Sequence, residues 1–129
     1  MVGYSHRVQI RHVVVDKEEV ANLIKGFFDD LKTHKAKVQS MMKLAEKYSI
    51  CSSKNDGGNL GWLELSSDDP RKLDYAPVFQ NQELEKIIRE KIADRSMKKE
   101  EVFGPFKTEQ GFHLTIISNS FGGDFVPNY

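Results

Sequence analysis

The stretch from Cys51 to Leu63 constrains the fold most, because it joins a helical pattern ending near Tyr48 to a short apolar run typical of a strand. It contains the chain's only cysteine, its only tryptophan and three of its nine glycines. Glycines at this density indicate backbone with positive φ, or a close approach to a neighbouring element. We therefore predict that residues 51–63 form a tight, structured connection rather than a plain loop.

The chain before this stretch begins with a strand and a helix. Residues 8–15, Val-Gln-Ile-Arg-His-Val-Val-Val, are rich in β-branched side chains and alternate, which is typical of a strand. Asp16 and Glu19 have the spacing of a helix N-cap and its capping box. Apolar residues then follow at helical spacing over residues 20–31, which predicts an amphipathic helix.

The remaining elements are predicted from the same periodicities. After a break at 33–37 come a second helix of about three turns over 38–48, a strand after the glycines and a polar stretch over 66–77. A third helix opens at Phe79 and runs to Ile92. It is followed by an edge strand interrupted by proline over 102–108, a turn at 109–111 and a last strand over 112–118. The order β-α-α-β-α-β-β favours an α+β domain with an antiparallel or mixed sheet. We predict that this domain spans residues 8–118, between an N-terminal tail (1–7) and a C-terminal tail (119–129).

The composition excludes several classes of protein. With 129 residues, 39% of them hydrophobic and 29% charged, the chain is long enough for one core and too apolar for a disordered segment. Its formal net charge is zero, so no global field favours nucleic acid, and no apolar run is long enough to cross a bilayer. No signal peptide is visible and a single cysteine suits a reducing compartment, so we expect a cytoplasmic protein.

Two histidines are the strongest candidates for chemistry. His12 lies in the predicted first strand and His113 in the last, each on a face otherwise lined by apolar or β-branched side chains. If these strands are neighbours in the sheet, the two imidazoles meet. They are then either two core histidines that satisfy each other's ring nitrogens, or the floor of an active site in which each fixes the other's tautomer.

Three other chemistries fit the residues less well. A metal site needs three or four convergent ligands, which the two strand histidines and a lone Cys51 do not supply, so no cofactor is predicted. His6 and His34 are predicted at the surface. A nucleophilic Cys51 activated by a histidine has no assignable oxyanion hole. Asp56-Gly57-Gly58 lacks the rest of a phosphate-binding loop, so a tight turn into a strand is favoured.

Five fragments of the chain together resemble the parvulin-type peptidyl-prolyl isomerases, the PpiC or rotamase family. In the family's order, they are Ile-Arg-His-Val-Val-Val at 10–15, Leu-Ala-Glu-Lys-Tyr-Ser-Ile-Cys-Ser-Ser at 44–53, Gly-Gly-Asn-Leu-Gly-Trp at 57–62, Pro-Val-Phe at 77–79 and Gly-Pro-Phe-Lys-Thr-Glu-Gln-Gly-Phe-His at 104–113. The resemblance covers roughly Val8 to Ser118. It implies a four-stranded antiparallel sheet surrounded by three to four helices, and catalysis of cis/trans isomerisation at Xaa-Pro bonds.

The resemblance also implies roles for individual residues. It gives His12 and His113 as the paired core histidines, Thr108 near them, and Cys51 at the family's cysteine-or-aspartate position beside the substrate carbonyl. It also implies a hydrophobic proline pocket of Leu60, Tyr75, Phe79 and Phe112, with Tyr75 in place of the family's usual methionine. The implied partners are proline-containing peptides and unfolded protein segments, bound by a monomer without nucleic acid or membrane insertion.

Departures from the family pattern concern substrate binding. The segment between Trp62 and Phe79 is longer and more acidic than usual, and the helix after Phe79 runs long before Gly104. After the first strand, residues 16–19 (Asp-Lys-Glu-Glu) lack the arginines with which phosphate-directed members bind phosphoserine or phosphothreonine. We therefore expect a non-phospho-directed isomerase that assists protein folding. Two alternatives stay open: a parvulin-fold peptide-binding or chaperone module with little or no isomerase activity, and a domain of a larger secreted or membrane-anchored folding factor.

Overall fold

A computed structural model of the chain describes residues 6–65, 79, 81–94, 96–98 and 100–121. Its regular elements are β1 (His6–Val15), α1 (Glu18–Asp29), α2 (His34–Tyr48), a 3₁₀ turn (Ser52–Asp56), β2 (Asn59–Leu65), α3 (Gln82–Ala93), β3 (Phe103–Thr108) and β4 (Gly111–Phe121). This order confirms the predicted α+β class. The polar stretch predicted at 66–77 lies outside the described residues.

The strands form one antiparallel sheet in the order β2-β1-β4-β3, so the first and last strands are neighbours at its centre. β3 is an edge strand, as its proline predicts, because proline cannot donate to a second neighbour. In the central pair, Val14 lies opposite His113 and His12 lies opposite Thr115. The two histidines are therefore diagonal neighbours on one face of the sheet.

Apolar side chains cover both faces of the sheet. On the face that bears His12, the strands pack against α3 through a first cluster of buried residues: Val8, Ile10, Leu63, Phe79, Leu84, Ile88, Ile92, Met97 and Ile117. On the opposite face, they pack against α1 and α2 through a second cluster: Val13, Val15, Ala21, Phe28, Met41, Ala45, Val102, Leu114 and Ile116. The last strand alternates accordingly, with Ile117 on one face and Leu114 and Ile116 on the other.

The starts of α1 and α2 differ from the sequence prediction. Lys17, not Asp16, is the N-cap of α1 and makes no side-chain capping bond, so the predicted capping box is wrong. Thr33 caps α2 by accepting from the Ala36 amide at 3.1 Å. This cap starts the helix at His34 and makes it a turn longer than predicted.

The bounds of α3 and of the outer strand ends are also corrected. α3 begins at Gln82 behind the cap Asn81, so Phe79 precedes the helix instead of opening it. β1 begins at His6 and β4 ends at Phe121, so both strands extend into segments that the sequence predicts as tails.

Candidate active site

His12 and His113 meet in the sheet, as predicted. Their Nδ1 atoms lie 3.1 Å apart, and their rings are stacked with centroids 5.2 Å apart at an interplanar angle of 22°. Neither side chain is exposed to solvent. A contact this short between two ring nitrogens needs one donor and one acceptor, so the two Nδ1 atoms share a single proton.

A series of hydrogen bonds connects this pair to the start of α3. Thr108 Oγ1 lies 2.7 Å from His113 Nε2, and it accepts from Asn81 Nδ2 at 3.0 Å and from the Gln110 amide at 3.1 Å. The amide of the Asn81 side chain is oriented by its own capping bond, in which Oδ1 accepts from the helix. We refer to Asn81, Thr108, His113 and His12 as the hydrogen-bond chain.

The hydrogen-bond chain fixes the tautomer of each histidine. Because two donors occupy the lone pairs of Thr108 Oγ1, its hydroxyl hydrogen points to His113 Nε2, which must accept it. His113 therefore holds its proton on Nδ1 and donates it to His12 Nδ1. The proton of His12 is then on Nε2, which is buried and has no hydrogen-bond partner among the described residues.

Burial keeps both imidazoles neutral. Loss of hydration lowers the pKa of His12 from its ordinary 6.5 to about 4. Burial, followed by the neighbouring His12, lowers the pKa of His113 from 6.5 to about 3. Both rings are therefore uncharged at neutral pH, as the tautomer assignment requires.

Cys51 directly precedes the 3₁₀ turn and is half-buried. The residues before it are bound to β1, because the Ile50 amide donates to the Val14 carbonyl at 2.9 Å. Ser49 Oγ accepts from the Val14 amide at 3.1 Å and from the Cys51 amide at 3.3 Å. Sequence reasoning misses Ser49, because no local pattern indicates that its hydroxyl reaches a strand 35 residues earlier.

The far end of the same loop is bound to His12 itself. The His12 amide donates to the Gly58 carbonyl at 2.9 Å. Gly58 has a φ of +77°, and a Cβ there would collide with the His12 carbonyl oxygen. Arg11 Nη1 adds bonds to the carbonyls of Asp56 at 2.9 Å and Gly57 at 3.2 Å. The close approach predicted from the glycines is therefore confirmed, and it brings the loop that follows Cys51 against the histidine strand.

Two predicted pocket residues, Phe79 and Leu60, belong to the same apolar cluster. Phe79 is buried in the first cluster, and the half-buried Leu60 packs against that cluster. Phe106 also packs there and stacks on His113 with ring centroids 5.4 Å apart, so it joins the apolar cluster to the histidine pair. Sequence reasoning misses Phe106, because the neighbouring proline indicates only a broken edge strand.

Phe112 lies elsewhere. Its ring packs against the second cluster, on the side of α1 and α2, because adjacent residues of a strand point to opposite faces and Phe112 precedes His113. We therefore leave Phe112 out of the proposed pocket as a correction to the sequence prediction. Tyr75, the fourth predicted pocket residue, lies outside the described residues.

Two further histidines, His6 and His34, are predicted at the surface. His6 is the first residue of β1, and its side chain lies outside the part of the chain that the structure describes. His34 is the first residue of α2. It is half-buried rather than at the surface, and its Nε2 lies 2.8 Å from the Ile117 carbonyl oxygen. Among the residues that the structure describes, no group of three or more His, Cys, Asp or Glu side chains is arranged to hold a metal ion.

The fold and the site together define the class of protein. The chain has a four-stranded antiparallel sheet, a central pair of buried histidines bound to a threonine, and an apolar cluster beside them. These are the features that the parvulin resemblance implies, so the protein is a parvulin-type domain.

Comparison with known proteins gives the family. The family model for rotamase, described as the PPIC-type PPIASE domain, matches residues 10–119. The match covers most of the chain, and the protein belongs to this PpiC-type peptidyl-prolyl isomerase family.

Several relatives are longer proteins. Over 88 residues, the chain is 33% identical to rhodanese-like/PpiC domain-containing protein 12, chloroplastic, of Arabidopsis thaliana, a match that covers 66% of this chain and 26% of the relative. A structure from a study of PEB4 and Cj1289, two SurA-like chaperones of Campylobacter jejuni, has a TM-score of 0.62 and 27% identity over 91% of this chain and 40% of its own. PrsA from Bacillus subtilis has a TM-score of 0.58 and 22% identity over 92% of this chain and 37% of its own. The chain thus spans less than half of each of these relatives.

The compartments of the relatives differ. The Arabidopsis relative is chloroplastic, and Cj1289 is a periplasmic protein. In the part of the chain that the structure describes, no helix is long and apolar enough to cross a membrane.

Proposed function

We propose that this chain catalyses cis/trans isomerisation of Xaa-Pro bonds in peptides and unfolded protein segments. The observation that supports this best is the neutral, buried histidine pair bound to Thr108 beside the apolar cluster of Phe79 and Leu60, with Phe106 in contact with both. Membership in the PpiC-type family supports the same activity.

The reaction needs rotation about an amide bond, whose resonance gives a barrier of about 20 kcal/mol. No covalent bond has to form or break. The site has only to bind the twisted amide more tightly than either planar form. Because twisting removes the conjugation that polarises the carbonyl, a site that excludes water favours the twisted form.

In this proposal, Leu60 and Phe79 hold the pyrrolidine ring and exclude water from it. The His12–His113 pair sets the electrostatics along the path of the carbonyl that precedes proline. Its fixed tautomers present oriented dipoles that need no reorganisation during rotation. Thr108 is a positioning residue, since it acts through His113.

Cys51 lines the same path through its size and polarity, not as a nucleophile. We expect Cys51→Asp to retain isomerisation, because the family accepts either residue at this position and the reaction needs no thiolate. The measurement is kcat/KM on a Xaa-Pro peptide for the wild type, Cys51→Asp and the alkylated wild type. Loss of activity in both modified proteins would instead support a thiol-dependent reaction.

The connection between β1 and α1 supports recognition of substrates that carry no phosphate. β1 ends at Val15 and α1 begins at Glu18, so only Asp16 and Lys17 connect them. Glu18 and Glu19 then place two carboxylates in the first turn of the helix. A phosphorylated residue would meet negative charge there and no paired guanidinium from residues 16–19.

A peptide-binding module with little turnover is the second candidate. The likeness to a structure reported with SurA-like chaperones favours it, since those proteins are named for chaperone function. The two candidates differ in one observable: an isomerase accelerates exchange between cis and trans peptide, whereas a binding module only shifts peptide signals.

The deciding experiment is an NMR-exchange assay on peptides in which Xaa is apolar, basic, acidic or phosphoserine. We expect acceleration with unphosphorylated peptides and none specific to phosphoserine. Binding of the panel by the folded protein without any acceleration would overturn isomerase activity in favour of the binding module.

Phe79→Ala tests the proline pocket. Removing the ring should abolish isomerisation, because the buried side chain that holds the pyrrolidine ring is lost from the first cluster. The milder Phe79→Leu should retain part of the isomerase activity. Phe27→Ala is the matched control, since Phe27 is 48% exposed on α1. Unfolding of each variant by denaturant separates loss of the pocket from loss of the fold. Full activity of a folded Phe79→Ala variant would remove Phe79 from the site.

We further propose that the chain acts as a monomer in the cytoplasm. A single cysteine suits a reducing compartment, and a formal net charge of zero gives no electrostatic attraction to membranes or nucleic acid. Light scattering of the purified chain and fractionation of the natural protein are the corresponding measurements.

A further inference from the structure

α3 contains a buried ion pair that the histidine site does not use. Arg89 Nε lies 3.2 Å from Glu85 Oε2, and the two side chains are 4% and 3% exposed. They lie on a helix otherwise buried through Leu84, Ile88 and Ile92. Charges are costly in such surroundings, and replacing a buried pair with apolar residues is often neutral for stability. The pair therefore calls for an explanation other than stability.

Each member of the pair has a second contact, with a backbone group outside α3. Glu85 Oε1 accepts from the Phe79 amide at 2.8 Å, and Arg89 Nη1 donates to the Glu64 carbonyl at 3.0 Å. Glu64 belongs to β2, and Phe79 precedes α3. The ion pair thus connects the end of β2 to the backbone of Phe79.

These contacts are not needed to cap α3. Asn81 already caps the helix through its bond to the Leu84 amide, whereas Glu85 reaches back beyond the cap to Phe79. Phe79 and Asn81 are therefore held by different groups. Asn81 is bound to the hydrogen-bond chain through Thr108, and Phe79 is bound to the ion pair.

We propose that Glu85 and Arg89 are positioning residues that set the place of Phe79, and hence substrate affinity, by holding its backbone against β2. The proposal rests on the proposed function of Phe79 in the proline pocket. Because the pair bonds to the backbone of Phe79 and of Glu64, it affects peptide binding through the pocket and leaves the rotation step nearly unchanged.

Two double variants isolate the bond to Phe79. Glu85→Leu/Arg89→Met removes both charges and the acceptor, and Glu85→Gln/Arg89→Met removes both charges but keeps an acceptor. We expect the first to raise KM about tenfold with kcat within about twofold, and the second to raise KM only about threefold, because it keeps the bond to Phe79 and loses the bond to Glu64. Loss of the exposed pair Lys25–Asp29, in Lys25→Gln/Asp29→Asn, is the matched control and should change neither constant.

Hydrogen exchange of the Phe79 amide is the readout that does not depend on turnover. It should be slowest in the wild type, intermediate in Glu85→Gln/Arg89→Met, which keeps an acceptor for the amide but loses the bond to Glu64, and fastest in Glu85→Leu/Arg89→Met. Peptide dissociation constants from NMR titration give the affinity even if the wild type isomerises no peptide, so failure of the proposed function and failure of this inference are distinguishable.

Arg89→Lys covers the case in which a double variant does not fold. It keeps a cation beside Glu85 but loses the planar fork that reaches Glu64. We expect a raised KM and faster Phe79 exchange, with kcat retained. Equal affinities and equal Phe79 exchange in the wild type and in every folded variant would overturn the proposal, as would a parallel loss of kcat and affinity that follows stability alone.

Discussion

At the scale of single residues, Thr108 determines the state of the histidine pair, because its hydroxyl is the donor that makes His113 Nε2 an acceptor. Thr108→Val keeps the shape and removes this donor. It should destabilise the domain by about 1–3 kcal/mol, since buried polar partners lose a hydrogen bond. Thr108→Ser keeps the hydroxyl and is the matched control.

Imidazole ¹⁵N spectra test the tautomers directly. The wild type and Thr108→Ser should show His113 protonated on Nδ1 and His12 protonated on Nε2. In Thr108→Val, the His113 signals should show a mixture of the two tautomers, because no hydroxyl then donates to Nε2. A wild-type spectrum with His113 protonated on Nε2 would contradict the assignment, and denaturant unfolding of the same variants gives the free energies.

The role of a single residue could be predicted from the sequence when its side chain was unusual for its position in a strand or helix. A histidine on an apolar strand face is such a case, and His12 and His113 do meet. The connections between residues were not predictable. Asn81 bonds to a threonine 27 residues away, and that contact depends on how α3 lies against β3. The resemblance also places Phe112 in the proline pocket. In the structure, Phe112 lies on the opposite face of β4 from its neighbour His113.

At the scale of elements, the loop between α2 and β2 depends on Gly58. Gly58→Ala should destabilise the domain by more than about 1 kcal/mol, because it adds a Cβ at a φ of +77° that collides with the His12 carbonyl. The substitution should also disturb the site, since the Gly58 carbonyl accepts from the His12 amide.

Gly26→Ala is the matched control on α1, where an added Cβ meets nothing within 4 Å. It should stabilise the domain by about 0.5–1 kcal/mol, because alanine favours the helix interior. Thermal or denaturant unfolding of the two variants gives the comparison. Equal stability of Gly58→Ala and the wild type would mean that the loop can move away from β1.

The order of elements followed from periodicity, whereas their ends did not. Amphipathic spacing identified α1, α2 and α3, and β-branched runs identified the central strands. The ends depend on which polar group happens to bond to the first turn. Thr33 and Asn81 do so and start their helices, whereas Asp16 has the right spacing but is not the N-cap of α1.

At the scale of the whole molecule, the histidine pair makes the stability of the domain depend on pH. The pair joins β1 to β4 at the centre of the sheet, so it is buried only when the domain is folded. The folded-state pKa values are about 4 for His12 and about 3 for His113, below the ordinary 6.5 that applies once the chain unfolds. As pH falls below 6.5, the unfolded chain therefore binds protons that the folded domain does not. Stability is complete above pH 6.5 and decreases towards the folded pKa values.

Between pH 6.5 and 5, before most carboxylates titrate, two such histidines should remove about 3 kcal/mol from the free energy of unfolding. Urea unfolding at steps of pH across this window measures the slope. His12→Gln, compared with its own stability at pH 7.5, should show about half of it, since one of the two buried imidazoles is gone. A wild-type stability that stays constant from pH 6.5 to 5 would mean that the pair takes up protons while still folded, and the neutral pair on which the proposed site depends would then be wrong.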